Sequence, residues 1–241
     1  MLRDVLAAQD QAWYERPLTR RLYRDWFEEI GARLASVQGR TVELGSGIGR
    51  FKEMFPASVA TDVESTPWAE AVVDAEALPY EAGSLANLVL VDVFHHLARP
   101  AVFLDEARRV LAPGGRVLIL DPYCSPLSTP AYRLFHHERT DLHGAGLADE
   151  PELASSPLAS NQARTTLVFF RDGERFRERW PELRIVERRR LALLLYPLSG
   201  GFSGRQLVPA SLYRPLASLE RALGFLAPLA AFRCLVVLER S

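Results

Sequence analysis

The sequence is poor in lysine, in cysteine and in long apolar runs, and each shortage excludes something. Lys52 is the only lysine; arginine carries the rest of the basic charge, and nothing gathers it on one surface. With 29 Lys+Arg against 30 Asp+Glu the formal net charge is -1, so there is no electrostatic argument for a nucleic-acid partner. The two cysteines, Cys124 and Cys234, stand far apart, which is neither a disulfide framework nor a zinc spacing, and a reducing cytoplasm is expected. The most apolar stretch, Ala222 to Leu238, is broken by Pro228 and Arg233 and falls short of the ~18 continuous apolar residues a membrane-spanning helix needs. Met1 to Arg16 carries Arg3, Asp4, Asp10, Glu15 and Arg16 and lacks the apolar core of a signal peptide, so export is not expected. What remains is ordinary globular material: 241 residues, 48% hydrophobic and 24% charged, enough for one substantial core.

The patterning alternates short apolar runs with helical periods. Leu22, Trp26, Ile30 and Leu34 mark an amphipathic helix over Leu18 to Leu34, closed by Gly39. Arg40 to Leu44 is β-compatible and leads through Gly45, Ser46, Gly47, Ile48 and Gly49 into a helical run from Arg50 to Phe55. Short strands follow at Val59 to Thr61 and Ala71 to Val73, ending on Asp62 and Asp74. Leu88 to Val91 ends on Asp92 and reads as a strand covered on both faces. A helix over Ala101 to Leu111 stops at Pro113-Gly114, and the strand Arg116 to Leu120 ends on Asp121. Beyond Tyr123 regularity lapses across 124–165; later segments read as a helix over Thr166 to Trp180, a strand over Leu183 to Tyr196, a helix over Ser211 to Leu226 and a last strand over Phe232 to Glu239. Alternation of this kind predicts an α/β, doubly wound, Rossmann-like sheet that binds ligands at the carboxyl ends of its strands, where the acids just named lie. One domain over 1–241 is expected, with a helical segment at 1–39 and an insert or lid at 124–165, since so long an irregular stretch usually has a task.

The segment Val42-Glu43-Leu44-Gly45-Ser46-Gly47-Ile48-Gly49-Arg50 carries the most chemistry. Its glycines allow a sharp turn and close approach of a ligand to the backbone. A dinucleotide site would place its third glycine where Arg50 stands, and would avoid a carboxylate at Glu43 facing a pyrophosphate. An acid followed by a glycine turn suits a cation instead, such as S-adenosylmethionine, with its sulfonium and ammonium groups.

At this point the sequence resembles the class I S-adenosylmethionine-dependent methyltransferases, in particular the bacterial small-molecule group similar to ubiquinone and sterol methyltransferases. The likeness runs from Thr41 to Tyr123 and includes Asp74-Ala75-Glu76-Ala77-Leu78-Pro79-Tyr80, Val91 to Leu97 and Pro113-Gly114-Gly115-Arg116. It departs at Leu85-Ala86-Asn87, where the family often has Phe-Asp. The resemblance implies a seven-stranded, mostly parallel sheet with an antiparallel last strand, and S-adenosylmethionine as cofactor with S-adenosylhomocysteine as product. It implies that Glu43 holds the methionine amino end, that Gly45, Ser46, Gly47 and Gly49 lie against the methionine and ribose, and that Asp62, with Val63 beside it, takes the ribose hydroxyls. Glu64 is the alternative for that last role. Asp74 and the main chain of Ala75 would receive the adenine, and Asp92 would border the methyl group.

Transfer from a sulfonium is an in-line displacement governed by proximity and orientation. A hydroxyl acceptor would also need a base, for which His96, His95 and Asp92 are the candidates, although histidines here also serve packing in the resembled family. His136, His137 and His143 with Glu138 and Asp141 form a second polar cluster whose spacing fits no standard zinc pattern, and no metal is expected. Tyr123, Tyr132 and the turn Ser199 to Arg205 are candidate acceptor contacts. The acceptor, whether a small molecule, a lipid or a saccharide, is left open, and the apolar C-terminal third fits a homodimer surface as well as a buried core. The competing readings are an NAD(P)-dependent oxidoreductase and a catalytically silent ligand-binding module of the same fold.

Overall fold

The computed structural model describes residues 2–135, 138–156 and 158–241. Two helices, α1 (Leu2–Glu15) and α2 (Pro17–Gly31), precede the sheet. Then come β1 (Arg40–Leu44), α3 (Arg50–Met54), β2 (Val59–Asp62), β3 (Ala71–Val72), β4 (Leu85–Val91), α4 (Pro100–Val110) and β5 (Leu111–Pro122). The second half comprises α5 (Ser128–Phe135), α6 (Arg164–Thr166), α7 (Gly173–Arg179), β6 (Leu183–Leu191), α8 (Leu195–Ser199), α9 (Tyr213–Ala222), α10 (Ala227–Ala230) and β7 (Arg233–Arg240).

The seven strands form one sheet in the order β3-β2-β1-β4-β5-β7-β6. β1 to β5 are parallel, while β7 runs antiparallel between β5 and β6. This is the doubly wound sheet with an antiparallel last strand that the sequence predicts. Strand alternation sends successive side chains to opposite faces. Leu88, Leu90, Val117, Ile119, Val236 and Leu238 pack with α4 and with Phe176 of α7. Val89, Leu118, Leu120, Leu235 and Val237 pack with Leu18, Leu22, Trp26 and Ile30 of α2. Both faces are covered, which is why the central strands read as unbroken apolar runs. Among the described residues no helix is long and apolar enough to cross a membrane.

Several boundaries differ from the sequence reading. α2 ends at Gly31 rather than continuing to Leu34; only glycine fits there, because a Cβ would meet the Phe55 ring at 2.1 Å. The β6 strand stops at Leu191, since Ala192 adopts φ 63° and breaks the ladder, and Leu195–Ser199 is helical instead. The helix expected over Thr166 to Trp180 is interrupted by a π turn at Leu167–Arg171. β5 begins earlier than expected, as Leu111 already pairs with Leu85, and Pro113 to Gly115 bulge out before Arg116 pairs with Asn87. The irregular 124–165 stretch contains α5.

Candidate active site

The carboxyl ends of β1, β2 and β4 open into a cleft of about 400 Å³, within the usual size range of small-ligand sites. Its floor is the turn between β1 and α3. Gly45, Gly47 and Gly49 all have left-handed φ values of 65°, 52° and 67°, a region that costs side-chain-bearing residues strain. The turn is closed by its own amides: Ser46 N donates to Thr61 O at 2.8 Å, Gly49 N to Ser46 O at 2.8 Å, and Gly47 N to Asp62 Oδ2 at 3.1 Å. These three donors are therefore already committed, which ill suits a pyrophosphate and opposes the dinucleotide reading. A Cβ on Gly45 would lie 2.5 Å from Val93 Cγ2, so no larger residue fits there unaided.

Glu43 lies beneath this turn, buried, with its Oε2 unpartnered among the described residues. Burial, reinforced by Asp62, pushes its carboxyl up to about 8. A buried acid with an unused acceptor oxygen is satisfied by a ligand that brings a donor and a positive charge. Asp62 is also buried and its carboxyl is raised, mainly by burial, against the lowering effect of the Gly47 amide. Across the cleft, Asp74 Oδ1 accepts from Glu76 N at 2.8 Å, which rigidifies the loop after β3. Val63, Ala75 and Glu76 complete that wall.

The fourth-strand end has a different character. Asp92 takes φ 58°. It accepts a hydrogen bond from Tyr23 Oη at 2.7 Å and an ion pair from Arg233, itself flanked by the Trp26 and Tyr196 rings at 5.5 and 5.1 Å. Asp92 thus lines the cleft as an acceptor already engaged. His96 also lines it. Its Nδ1 is 2.9 Å from the Ala159 carbonyl; a carbonyl only accepts, so Nδ1 carries the proton and Nε2 keeps a lone pair. Burial and the neighbouring His95 push His96 down to about 4, so the ring is neutral. His95 and Gly49 stand outside the cleft lining, whereas the other candidate cofactor residues, Asp62, Val63, Asp74, Ala75 and Asp92 among them, converge on it with Glu43, Gly45, Ser46 and Gly47. His95 is buried beside Asp121, its Nδ1 2.8 Å from Oδ1. Burial opposes its charge, but Asp121 and Glu138 outweigh that and raise it to about 10.

Of the candidate acceptor contacts, Phe202 reaches the cleft, and Leu153, Ser156 and Leu158 of the 124–165 stretch join it. Tyr123 and Tyr132 do not; the Tyr123 hydroxyl accepts from Arg190 Nε at 2.7 Å, and the Tyr132 hydroxyl donates to the Phe232 carbonyl. His136 and His137 lie outside the described residues. His143 and Asp141 form a local turn, with His143 N donating to Asp141 Oδ1 at 2.8 Å. α1 falls in the helical segment expected over 1–39, but sequence reasoning missed its part in the site: its Leu2, Leu6, Gln9 and Trp13 close one side of the cleft. The spacing of Leu2, Leu6 and Trp13 was the available signal. Arg50 fastens this helix: it pairs with Asp10 of α1 and with Glu53, and lies 5.5 Å from the Trp13 ring and 5.3 Å from that of Tyr14.

A Rossmann-like sheet of this strand order, with an acid and a glycine turn at the end of its first strand, defines the class I methyltransferase fold. Comparison with known proteins agrees. Residues 42–119 match the family described as "Methyltransferase domain". An uncharacterized 37.1 kDa protein of a Streptomyces fradiae transposon is 37% identical over 92 residues, covering 38% of this chain and 25% of the relative. An uncharacterized protein of Methanocaldococcus jannaschii is 25% identical over 124 residues, covering 48% of this chain and 58% of the relative. The chain thus spans about a quarter and somewhat over half of these two relatives. Among solved structures, an S-adenosylmethionine-dependent methyltransferase of Thermotoga maritima superposes with a TM-score of 0.56 at 14% identity, over 100% of this chain and 99% of that one. The geranyl diphosphate C-methyltransferase of Streptomyces coelicolor, solved with S-adenosylhomocysteine, gives 0.52 at 14% identity over 92% and 80%. The matched methyltransferase-domain segment lies in the half of the chain that builds the glycine turn and β1 to β5, and the solved structures share the fold of the whole sheet.

Proposed function

We propose that this protein methylates a small, largely apolar acceptor, taking the methyl group from S-adenosylmethionine and releasing S-adenosylhomocysteine. The observation that carries the reading is the buried, unpartnered Glu43 oxygen beneath a glycine turn whose amides are already bonded. Such a pocket end welcomes an ammonium and offers little to a phosphate. Glu43 would hold that ammonium; Asp62, whose carboxylate is held by the Gly47, Glu64 and Val63 amides, would take the ribose hydroxyls, with Val63 against the sugar. Gly45, Ser46 and Gly47 would shape the floor, Gly49 closing the turn behind them through its bond to Ser46, and Asp74 with Ala75 would receive the adenine.

When bound, the cofactor supplies a methyl carbon whose bond to sulfur breaks as the acceptor's lone pair attacks, the electron pair passing to sulfur. The chain's own task is positioning. Trp13, Tyr23, Leu97, Leu153, Leu158 and Phe202 line the cleft, a mostly apolar and aromatic surface that excludes water from the acceptor. For a hydroxyl acceptor, the Nε2 lone pair of His96 would take the proton, with Asp92 fixing the strand end and the His95 ring tilted against His96 at 4.1 Å between centroids.

Calorimetric titration with S-adenosylhomocysteine, S-adenosylmethionine and NAD tests this directly. Micromolar binding of the first two with none of NAD is expected. Binding of NAD alone would overturn the reading, and cofactor binding without S-adenosylhomocysteine formation across a panel of apolar acceptors would leave a silent binding module.

A further inference from the structure

Outside the cofactor end of the cleft, the fold brings Glu138 to the adjacent pair His95 and His96, from which the sequence keeps it apart. His95 and His96 sit on the short turn Phe94–His96 after β4, and Glu138 follows α5. One ligand atom from each lies within 4.8 Å of those of the others. Both imidazoles are anchored through Nδ1, His95 to the Asp121 carboxylate at 2.8 Å and His96 to the Ala159 carbonyl at 2.9 Å. Both Nε2 atoms are thereby left for another partner. Carboxylate or carbonyl support of the remote nitrogen is how metal-binding histidines are oriented. His95 Nε2 stands 3.7 Å from Glu138 Oε2, beyond hydrogen-bond range but near the ~3.4 Å that separates two ligands each ~2.0–2.1 Å from one tetrahedral ion. Glu138 is steadied by the buried Gln162, which donates to it through Nε2 while its own Oε1 has no partner among the described residues.

We propose that His95, His96 and Glu138 form a binding site for a divalent transition-metal ion, at the acceptor side of the cleft. Two imidazoles and one carboxylate select ions of the zinc, cobalt, iron or manganese class over magnesium and calcium, which prefer all-oxygen shells. Three protein ligands leave at least one position open. Because His96 lines the cleft, that position can serve an oxygen of the acceptor. The site itself is independent of the methyl-transfer reading; its use by the acceptor rests on that reading, and with an ion on His96 Nε2 that nitrogen no longer serves as a base, the ion instead lowering the pKa of a bound acceptor hydroxyl so that its proton passes to solvent.

The test is titration of the chelator-stripped full chain with Zn²⁺ and with Co²⁺, followed by calorimetry, by metal analysis after dialysis and by the visible absorption of bound Co²⁺. One ion per chain at micromolar affinity or tighter is expected, with a Co²⁺ spectrum of low coordination number. Glu138→Gln should weaken binding at least tenfold, and His143→Ala should leave it unchanged. His96→Asn replaces Glu138→Gln if circular dichroism shows that variant unfolded. Absence of stoichiometric binding at 100-fold molar excess of metal, or affinity unaltered by the ligand substitutions, would overturn the proposal and leave His95 as an imidazolium bridging two carboxylates. Titration with S-adenosylhomocysteine reports the cofactor end separately, so failure of one reading is distinguishable from failure of the other.

Discussion

The most discriminating perturbation is at Glu43, by pH and by Glu43→Gln. In the unliganded protein burial and Asp62 hold this carboxyl near 8 against a usual 4.5, so at pH 7 it is mostly neutral. An ammonium ligand needs it ionised, and each pKa unit of mismatch costs ~1.4 kcal/mol. If the bound complex keeps the carboxylate well below pH 6, the apparent dissociation constant scales as one plus the ratio of protonated to ionised Glu43. Affinity for S-adenosylhomocysteine should then tighten about ninefold from pH 6 to pH 7 and roughly fivefold more to pH 8. Above that the ligand's own α-amino group, with a pKa of ~7.7–8.0, begins to lose its proton, and the profile turns over. Glu43→Gln should bind more weakly than wild type at pH 8 and show no rise between pH 6 and 7. The sign for stability is the reverse: the folded unliganded chain holds a proton that the unfolded chain gives up near 4.5, so it becomes less stable as pH climbs from there towards 8. Calorimetry at pH 6, 7 and 8, with thermal denaturation alongside, measures both. A wild-type affinity that is flat across this interval would refute the placement of the ammonium on Glu43.

Three further outcomes follow from the same geometry. Asp62→Ala removes the acceptor of the Gly47 amide as well as the ribose contact, so S-adenosylhomocysteine affinity should fall by about tenfold or more while unfolding stays cooperative; unchanged affinity would move the ribose role to Glu64. Asp10→Asn weakens the grip of Arg50 on α1, and a few-fold loss of cofactor affinity with increased amide exchange in Leu2–Glu15 is expected; exchange equal to wild type would show that apolar packing alone holds the helix. Asp92→Asn leaves Arg233, whose side chain is 3% exposed, without its counter-charge. Fully buried pairs cost ~3–5 kcal/mol when broken, and the 31% exposure of Asp92 reduces this to about 2 kcal/mol, readable as a lowered denaturant midpoint; a midpoint within error of wild type would refute the pairing.

The cofactor half was legible because its elements are local. Apolar runs ending on Asp62, Asp74 and Asp92 mark strand ends wherever the strands pair, and a glycine turn needs only neighbouring residues to declare itself. The antiparallel last strand was expected from resemblance, not from pattern: an apolar run such as Phe232 to Glu239 carries no sign of its direction. The same limit explains the misplaced end of β6, since Ala192 breaks the strand through a backbone angle that alanine does not announce.

Sequence by itself therefore determined the class of fold, the glycine turn with its acid and the set of carboxylates at the strand ends, all encoded by periodicities of two and 3.6 and by short-range spacing. Tertiary structure alone decided that α1 walls the cleft, that Asp92 is tied to Arg233, that Glu43 is buried enough to stay protonated, and that Glu138 meets His95 and His96. Those facts depend on which distant segments pack together and on how much water the packing removes, and neither is written in any local stretch of the chain.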